Sequence, residues 1–175
     1  MTHKEYKDIL KFELYRNWNI SNFQKFRLKY LSPNTNCIFL ARRMWYLYSC
    51  GKFKRIISKI IYKKIIRKYG CIIYPNAKVG KGFNIVHPVG IVIGQCTIGE
   101  DFTIYQNCTI GVRRENDESK GLIPVVGNNV RLCSSSLIIG AVNITDNVTI
   151  GANSLIIHDI ECSGTYVGNP AKKVR

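Results

Sequence analysis

The chain has 175 residues, 46% of them hydrophobic, so it is long enough to fold as about one domain with a sizeable core. The polar start MTHKEYKDIL argues against a signal peptide, and no apolar run is long enough to span a membrane. The seven cysteines are odd in number and include no Cys-x-x-Cys pair, so, with no signal peptide, we expect free thiols in a reducing cytoplasm. Their spacing also argues against a structural zinc site.

The net charge of +15 is concentrated in residues 1–70, which carry 17 Lys and Arg against three Asp and Glu. Residues 71–175 carry nine against eight. This asymmetry predicts an anionic partner for the front section. In one interpretation the front contacts the anionic inner face of the cytoplasmic membrane peripherally; in the other it packs on the rest of the protein and its lysines are solvated. No RNA or DNA motif is present, so we expect no specific nucleic-acid partner.

Residues 1–70 are predicted to form a basic helical region. Thr2 and Glu5 have the spacing of a capping box, and the apolar residues that follow recur every four positions at Leu10, Leu14 and Trp18. A Ser-Pro-Asn break at 32–34 precedes a second helical run at 36–49 and a third at 52–69. In the third run eight Lys and Arg surround one apolar stripe made of Ile56, Ile57, Ile60, Ile61 and Ile65.

Residues 71–175 have a period of six. Every sixth residue is aliphatic at Val126, Leu132, Ile138, Ile144, Ile150 and Ile156. The same phase occurs earlier at Ile73, Val79, Ile85 and Ile91, with Ala77, Phe83 and Val89 four positions further on; it then slips by one residue and resumes at Ile98, Ile104 and Ile110. A six-residue repeat is typical of a β-helix, in which each hexapeptide forms one side of a triangular coil and the aliphatic residues stack into a core.

The polar segment 112–123, VRRENDESKGLI, interrupts this repeat. A long polar loop inside a regular solenoid is either functional or an excursion without a role. A second irregularity is His87, which lies in the apolar stretch FNIVHPVGIVIG with no acid within ten residues. On that stretch alone, His87 is more typical of a packed core residue than of a catalyst.

The motifs YPNAKVGKGFNIVHPVGIVIG and IGEDFTIYQNCTIG, with the ending IGANSLIIHDI…YVGNPAKKV, resemble the hexapeptide-repeat acyltransferases over residues 71–175. They are most similar to the serine acetyltransferase-like branch. This resemblance implies a mainly β protein, a left-handed parallel β-helix that forms a homotrimer with active sites between subunits. It also implies acetyl-CoA as the acyl donor and loop 112–123 as a segment that reaches over a neighbouring subunit's site.

The resemblance assigns His87 as the catalytic base, which removes the proton from an acceptor hydroxyl so that this oxygen attacks the thioester directly. By motif matching, acetyl-CoA is expected to contact Gly111, Ser134, Gly140, Ala152, Lys172 and Lys173. Gly111 lies in the segment expected to hold the oxyanion, whereas the two lysines are either phosphate contacts or a solvated tail. His3 and His158 are expected to lie at the surface, outside the site.

The acceptor is predicted from three departures. Serine acetyltransferases carry an aspartate before the histidine, a second aspartate fifteen residues upstream, and an Arg-His pair in the loop; here these positions hold Val86, Ile72 and the pair Leu122–Ile123. A free amino acid needs a carboxylate for its ammonium group and a cation for its carboxylate. We therefore predict a saccharide hydroxyl of a surface polysaccharide or its precursor as acceptor, with serine as the alternative. Candidate acceptor contacts are Asn84, Tyr105, Gln106, Asn107, Arg113 and Arg114.

Two other classes remain open. A non-catalytic solenoid scaffold would have the same repeat, and thioester turnover would distinguish it from an enzyme. A carbonic anhydrase-like enzyme on the same solenoid would need three zinc-binding histidines that meet at a subunit interface. His87 and His158 are far apart along the repeat and His3 lies outside it, so we expect no metal.

Overall fold

The computed structural model describes residues 2–15 and 20–175. Four helices come first: α1 (His3–Leu14), α2 (Asn22–Tyr30), α3 (Pro33–Ser49) and α4 (Lys52–Tyr69). In the described part of the chain, no helix combines the length and the apolar character that crossing a membrane requires. The predicted apolar position Trp18 lies outside the described residues.

The helix starts follow local capping rules. The predicted capping box at α1 is confirmed: Glu5 N–H donates to Thr2 Oγ1 at 3.2 Å, and Thr2 N–H donates to the Glu5 carboxylate at 2.8 Å. The sequence interpretation placed no helix start between this box and the break at 32–34, but α2 begins with a second box between Ser21 and Gln24. The spacing Ser-x-x-Gln is itself the signature of such a start, so this boundary was readable.

The remaining strands wind into a left-handed parallel β-helix of about five turns, as predicted. Its three faces are parallel sheets, named A, B and C. Face A contains β1 (Ile72–Ile73), β4 (Val92–Ile93), β7 (Thr109–Gly111), β10 (Leu137–Ile139) and β13 (Leu155–Ile156). Face B contains β2 (Lys78–Val79), β5 (Thr97–Ile98), β8 (Val125–Val126) and β11 (Asn143–Ile144). Face C contains β3 (Asn84–Ile85), β6 (Thr103–Ile104), β9 (Arg131–Leu132), β12 (Val148–Ile150) and β14 (Gly164–Gly168), and ends with the antiparallel β15 (Ala171–Lys173).

The six-residue repeat supplies the core of this β-helix. The aliphatic residues predicted to point inward from Val126 to Ile156 are all buried, and those of successive coils are paired in register, as in Ile110 with Ile138 and Ile138 with Ile156. The small or β-branched residues four positions further on are also buried, including the polar Ser136 and Ser154. Each coil therefore covers the apolar interior of the next.

The corner after β3 departs from the predicted phase. Eight positions separate the inward residues Ile85 and Ile93, whereas six separate Ile104 from Ile110. The strand residue in register with Ile73 is therefore Ile93 and not Ile91, although Ile91 is also buried. Because this corner is longer, Val89 is 59% exposed instead of lying inside. His87 lies in this enlarged corner.

The helices cover the first coil through a buried ion pair. The Arg42 guanidinium of α3 donates to both carboxylate oxygens of Glu13, at 2.6 and 2.8 Å, and to the backbone carbonyls of Val79 and Gly80. The Glu13 carboxylate also accepts the Phe83 N–H at 2.8 Å. Burial raises the pKa of Glu13, and the Arg42 charge opposes that rise.

The predicted isoleucine stripe of α4 divides into two faces. Ile61 and Ile65 are buried, whereas Ile56, Ile57 and Ile60 are exposed to solvent. The buried face packs on α3 and on the start of face A, where Ser58 Oγ donates to the Met44 carbonyl at 2.9 Å.

Candidate active site

His87 lies on the edge of the β-helix where the chain passes from face C to face A. We name this the His87 edge; it comprises residues 86–91, 105–108, 133–136 and 151–154. The His87 side chain is exposed, and its imidazole meets the Tyr105 ring edge-on, with ring centroids 6.4 Å apart. The sequence expectation of a packed core histidine for this stretch alone therefore does not describe its position.

The backbone of this corner is fixed by the coil above it. Val89 N–H donates to the His87 carbonyl at 2.9 Å, and Asn107 N–H donates to the Val89 carbonyl at 2.9 Å. Gly90 has a φ of 64°, and a Cβ at Gly90 would lie 2.3 Å from Asn107 Oδ1, so the position requires glycine. These contacts hold the His87 backbone while its ring faces solvent.

Three further coils continue the same edge. Ser135 N–H donates to the Gln106 carbonyl and Asn153 N–H to the Ser134 carbonyl, each at 3.0 Å. The structure thus brings His87 together with five predicted site residues along one line, namely Tyr105, Gln106, Asn107, Ser134 and Ala152. Gln106 Oε1 is buried and is the one such side-chain atom in the described ranges without a hydrogen-bond partner.

The chemistry of this edge favours a base over a covalent nucleophile. An exposed imidazole is the side chain best suited to take up a proton near neutral pH. The edge contains two thiols: Cys108 is buried, and burial raises the pKa of the half-buried Cys133, with Arg131 opposing the shift. A thiol with a raised pKa stays protonated and is a poor nucleophile.

The second group of predicted residues lies on another edge, where the chain passes from face A to face B. We name this the loop edge; it comprises residues 94–96, 111–124, 140–142 and 157–159. Gly140 N–H donates to the Gly111 carbonyl at 2.9 Å, so these two glycines stack in successive coils. A Cβ at Gly140 would lie 3.7 Å from Arg113 Nε, whereas one at Gly111 would meet no atom within 4 Å.

The inserted loop folds on itself around Asp117. Arg114 N–H donates to the Asp117 carboxylate at 3.0 Å, and Leu122 N–H donates to the Asp117 carbonyl at 2.9 Å. A 3₁₀ turn at Glu118–Lys120 completes it. The loop is therefore an ordered structure held by its own hydrogen bonds.

A cavity of about 600 Å³ lies between this loop and the next two coils. It offers cations and carboxylates together, and its lining is Arg113, Arg114, Asp117, Leu122, Gly140, Ala141, Val142, Ile157, His158 and Asp159. His158 is exposed, as predicted, but it also lines this cavity. Its participation was missed because no motif connected position 158 with the loop.

Three predicted site residues lie apart from both edges. Asn84 is half-buried in β3 and lines a cavity of about 330 Å³ with residues of the helical region, including Glu13 and Leu14. Lys172 and Lys173 are exposed on β15, where they pair with Val167 and Tyr166. In residues 2–15 and 20–175, no three His, Cys, Asp or Glu side chains come together as a metal site.

No protein-family model matches the chain. The serine acetyltransferase of Staphylococcus epidermidis is 36% identical over 126 residues, which are 71% of this chain and 58% of that protein. The chain thus spans less than two thirds of the length of the curated relatives it matches.

Solved structures of serine acetyltransferases share the fold. The Neisseria gonorrhoeae enzyme superposes with a TM-score of 0.82 at 24% identity, over 99% of this chain and 68% of that one. A serine acetyltransferase in complex with CoA superposes with a TM-score of 0.79 at 24% identity, over 98% of this chain and 71% of that one.

The predicted saccharide acceptor is wrong, because the relative and both structures are serine acetyltransferases. The prediction took the loss of charge at Val86, Ile72 and 122–123 as the loss of an amino-acid acceptor. The loop-edge cavity contains two carboxylates, Asp117 and Asp159, that the prediction did not consider, beside the predicted contacts Arg113 and Arg114.

The six-residue repeat, the parallel register of the three faces and the identity to the relative all indicate the same protein family. The polysaccharide branch of the family receives no support from them. The chain belongs to the hexapeptide-repeat, left-handed β-helix acyltransferase family.

Proposed function

We propose that the chain is an O-acetyltransferase that transfers the acetyl group of acetyl-CoA to the hydroxyl of L-serine. The observation that carries this proposal is the exposed His87 on a β-helix edge, in a chain that is 36% identical to a serine acetyltransferase.

The reaction is a direct transfer. His87 takes the proton of the serine hydroxyl as the oxygen attacks the thioester carbonyl carbon, forming a C–O bond. The tetrahedral intermediate then collapses, the C–S bond breaks, and the sulfur of CoA leaves and receives the proton from the imidazolium. The oxyanion needs a donor, for which a backbone N–H in the segment 109–111 is our candidate.

Contacts for acetyl-CoA are available on the His87 edge, in the inserted loop and on β15. On the His87 edge, the small residues Ser134 and Ala152 leave room for the pantetheine arm along the coils. The pyrophosphate and the 3′-phosphate need cations, and Arg113, Lys172 and Lys173 are exposed. The CoA complex of a structurally similar serine acetyltransferase supports this donor.

The assembly follows from the outward residues of the three faces. On face A these residues, one per coil, are mostly apolar: Ile72, Val92, Thr109, Leu137 and Leu155. On face B they are Lys78, Thr97, Val125 and Asn143, and on face C they are Asn84, Thr103, Arg131 and Thr149. A continuous apolar face on an otherwise polar solenoid favours contact with further copies of the chain.

Three copies packed by face A around a threefold axis would complete the site. In such a ring each copy uses two different surfaces, so one border of face A meets the opposite border in the neighbour. Those borders are the His87 edge and the loop edge. The His87 of one copy would then face the loop cavity of the next, which a single chain cannot achieve because face A separates them.

The acceptor contacts differ from those implied by the family motifs. Val86 and Ile72 provide no carboxylate near His87, so the ammonium group of serine requires another partner. In the proposed trimer the neighbour's loop cavity supplies Asp117 or Asp159 for the ammonium group and an arginine for the carboxylate.

The first test is thiol release from acetyl-CoA by the full chain, with and without L-serine. We expect serine-dependent turnover, reduced about 10²–10⁴-fold in His87→Ala because a positioned base is lost. His3→Ala is the matched control, since His3 lies on α1 and should leave turnover unchanged. Absence of serine-dependent turnover, or full turnover in His87→Ala, would overturn the proposal.

The assembly has its own test. Leu137→Arg places a charge on face A and should convert the trimer to single chains, as measured by light scattering, with loss of turnover. Val125→Arg places the same charge on an exposed residue of face B and should change neither the mass nor the turnover. Equal behaviour of the two variants would contradict contact through face A.

The acceptor assignment predicts a gain of function. Val86→Asp restores a carboxylate beside His87 and should lower the KM for L-serine about tenfold, because a charge-assisted hydrogen bond is gained. Val86→Asn, which has the same shape without the charge, is the control. An unchanged KM in Val86→Asp would contradict a serine ammonium group held between position 86 and the neighbour's loop cavity.

A further inference from the structure

Helix α4 carries an apolar stripe that the fold leaves uncovered. Phe53, Ile56 and Ile60 are 88, 61 and 62% exposed, and Ile57 is 46% exposed. Their spacing of three and four residues places them on one side of the helix. The buried residues of α4, Ser58, Ile61 and Ile65, face α3 and the β-helix, so this stripe contributes nothing to the core.

All charged side chains of α4 are positive. Helix α4 contains eight Lys and Arg and no acid, and the sequence has no Asp or Glu between Glu13 and Glu100. Lys52, Lys59 and Lys63 are exposed and flank the stripe. An exposed apolar face bordered by lysines is typical of helices that lie in the interface of an anionic bilayer.

A shallow groove of about 320 Å³ lies beside the stripe, between α4 and the first corner of the β-helix. Its walls are the Tyr62 and Tyr74 rings and Pro75, and Lys59 and Lys63 stand at its rim. The two rings meet edge-on, with centroids 6.2 Å apart. Tyrosines with an apolar body and a polar tip, next to lysines, suit the level of lipid headgroups.

The charge pattern favours an anionic bilayer over two other partners for this face of α4. A second copy docked by the same face would bring together two helices that carry only positive charges, which opposes association. A nucleic acid would satisfy the lysines but would leave the exposed isoleucine and phenylalanine side chains without an apolar partner. A bilayer with anionic headgroups satisfies both, with acyl chains for the stripe and phosphates for the lysines.

We infer that α4 docks the protein on an anionic phospholipid surface through the stripe Phe53, Ile56, Ile57 and Ile60 and the lysines that flank it. This contact involves neither edge of the candidate active site and does not depend on the proposed reaction. The helix lies along the surface, with its stripe at the boundary between headgroups and acyl chains.

The test is co-sedimentation of the full chain with vesicles of phosphatidylcholine containing phosphatidylglycerol, compared with pure phosphatidylcholine. We expect binding to the anionic vesicles alone, weakened by added salt. The triple variant Phe53→Ser, Ile56→Ser, Ile60→Ser should reduce partitioning about a thousandfold or more, because three apolar side chains no longer enter the bilayer. Its matched control is Val125→Ser, Val167→Ser, Val174→Ser, which removes three exposed apolar residues of the β-helix and should bind like the parent.

Two double substitutions of lysine test the contribution of charge. Lys59→Gln with Lys63→Gln should weaken partitioning about thirtyfold, whereas Lys78→Gln with Lys120→Gln should leave it unchanged. Binding to neutral and anionic vesicles alike, no binding to either, or full binding by the serine triple variant would overturn the inference. A fall in molecular mass in that variant, with no vesicle binding by the parent, would assign the stripe to a second copy instead.

Discussion

The helical region and the β-helix hold themselves together in different ways. In the β-helix, each inward aliphatic residue packs on its equivalent in the next coil, and the same backbone hydrogen bonds recur along three faces. The helices meet the first coil through a few contacts that occur once each, such as Arg42 with Glu13 and the Trp45 indole N–H donating to the Tyr74 carbonyl at 3.0 Å.

Because of this difference, the two regions should respond differently to the loss of a contact. A repeated contact can be lost in one coil while its neighbours remain, because each coil interacts with adjacent ones. A contact that occurs once cannot be shared, so its loss affects the whole attachment. Substitutions in the two regions should therefore differ in both size and extent.

The largest stability effect is expected for Glu13→Ala. It leaves the Arg42 guanidinium buried without its carboxylate and removes the acceptor of the Phe83 N–H. The free energy of unfolding should fall by about 3–5 kcal/mol, with faster hydrogen exchange throughout the helices. Urea denaturation and hydrogen exchange measure this, with the exposed Asp8→Ala as control. Similar losses in both variants would mean that the pair does not anchor the helices.

A smaller and more local effect is expected for Ile138→Ala in the β-helix core. Ile138 is fully buried between Ile110 and Ile156, so its truncation leaves a cavity and should cost about 2–5 kcal/mol. Hydrogen exchange should accelerate in the coils that contain those neighbours and not in the helices. Uniform acceleration over the whole chain would contradict the picture of independent coils.

The smallest effect is expected for Asn128→Ala on the edge between faces B and C. The Asn128 side chain accepts the Glu100 N–H at 2.8 Å, and its amide donates to Asp146 at 3.2 Å. These exposed bonds should contribute about 1 kcal/mol, measured by urea denaturation. Asn116→Ala, in the inserted loop, is the matched control. An equal loss of unfolding free energy there would show that the bonds of Asn128 to Glu100 and Asp146 do not stabilise the edge.

Most of the β-helix was predictable because its signal repeats. From Val126 to Ile156, every sixth residue is aliphatic over six repeats, and this pattern fits neither the helix period nor the alternation of a simple strand. The enlarged corner at His87 was not predictable, because Ile91 and Ile93 are equally apolar and the sequence alone does not show which one enters the strand. The Glu13–Arg42 pair was missed because 29 positions separate its members, and only the folded helices bring them together.

The candidate site shows the same limit. A motif marked His87, and the stacking of successive coils placed it on the same edge as Tyr105, Gln106, Asn107, Ser134 and Ala152. The acceptor prediction failed because missing residues, such as an aspartate at Val86, do not show which others replace them. The apolar outward row of face A was readable, since each member directly precedes an inward residue.

The most direct test of our account is a subunit-mixing experiment. Chains carrying His87→Ala and chains carrying Arg113→Ala with Arg114→Ala are first expressed and purified separately. They are then co-expressed to give mixed trimers, and thiol release from acetyl-CoA with L-serine is measured for all three preparations. If His87 of one copy acts with the loop edge of its neighbour, each variant alone is inactive, and about a quarter of the interfaces recover in random mixed trimers. No recovery on mixing, or full turnover by the arginine variant alone, would contradict a site assembled from two copies.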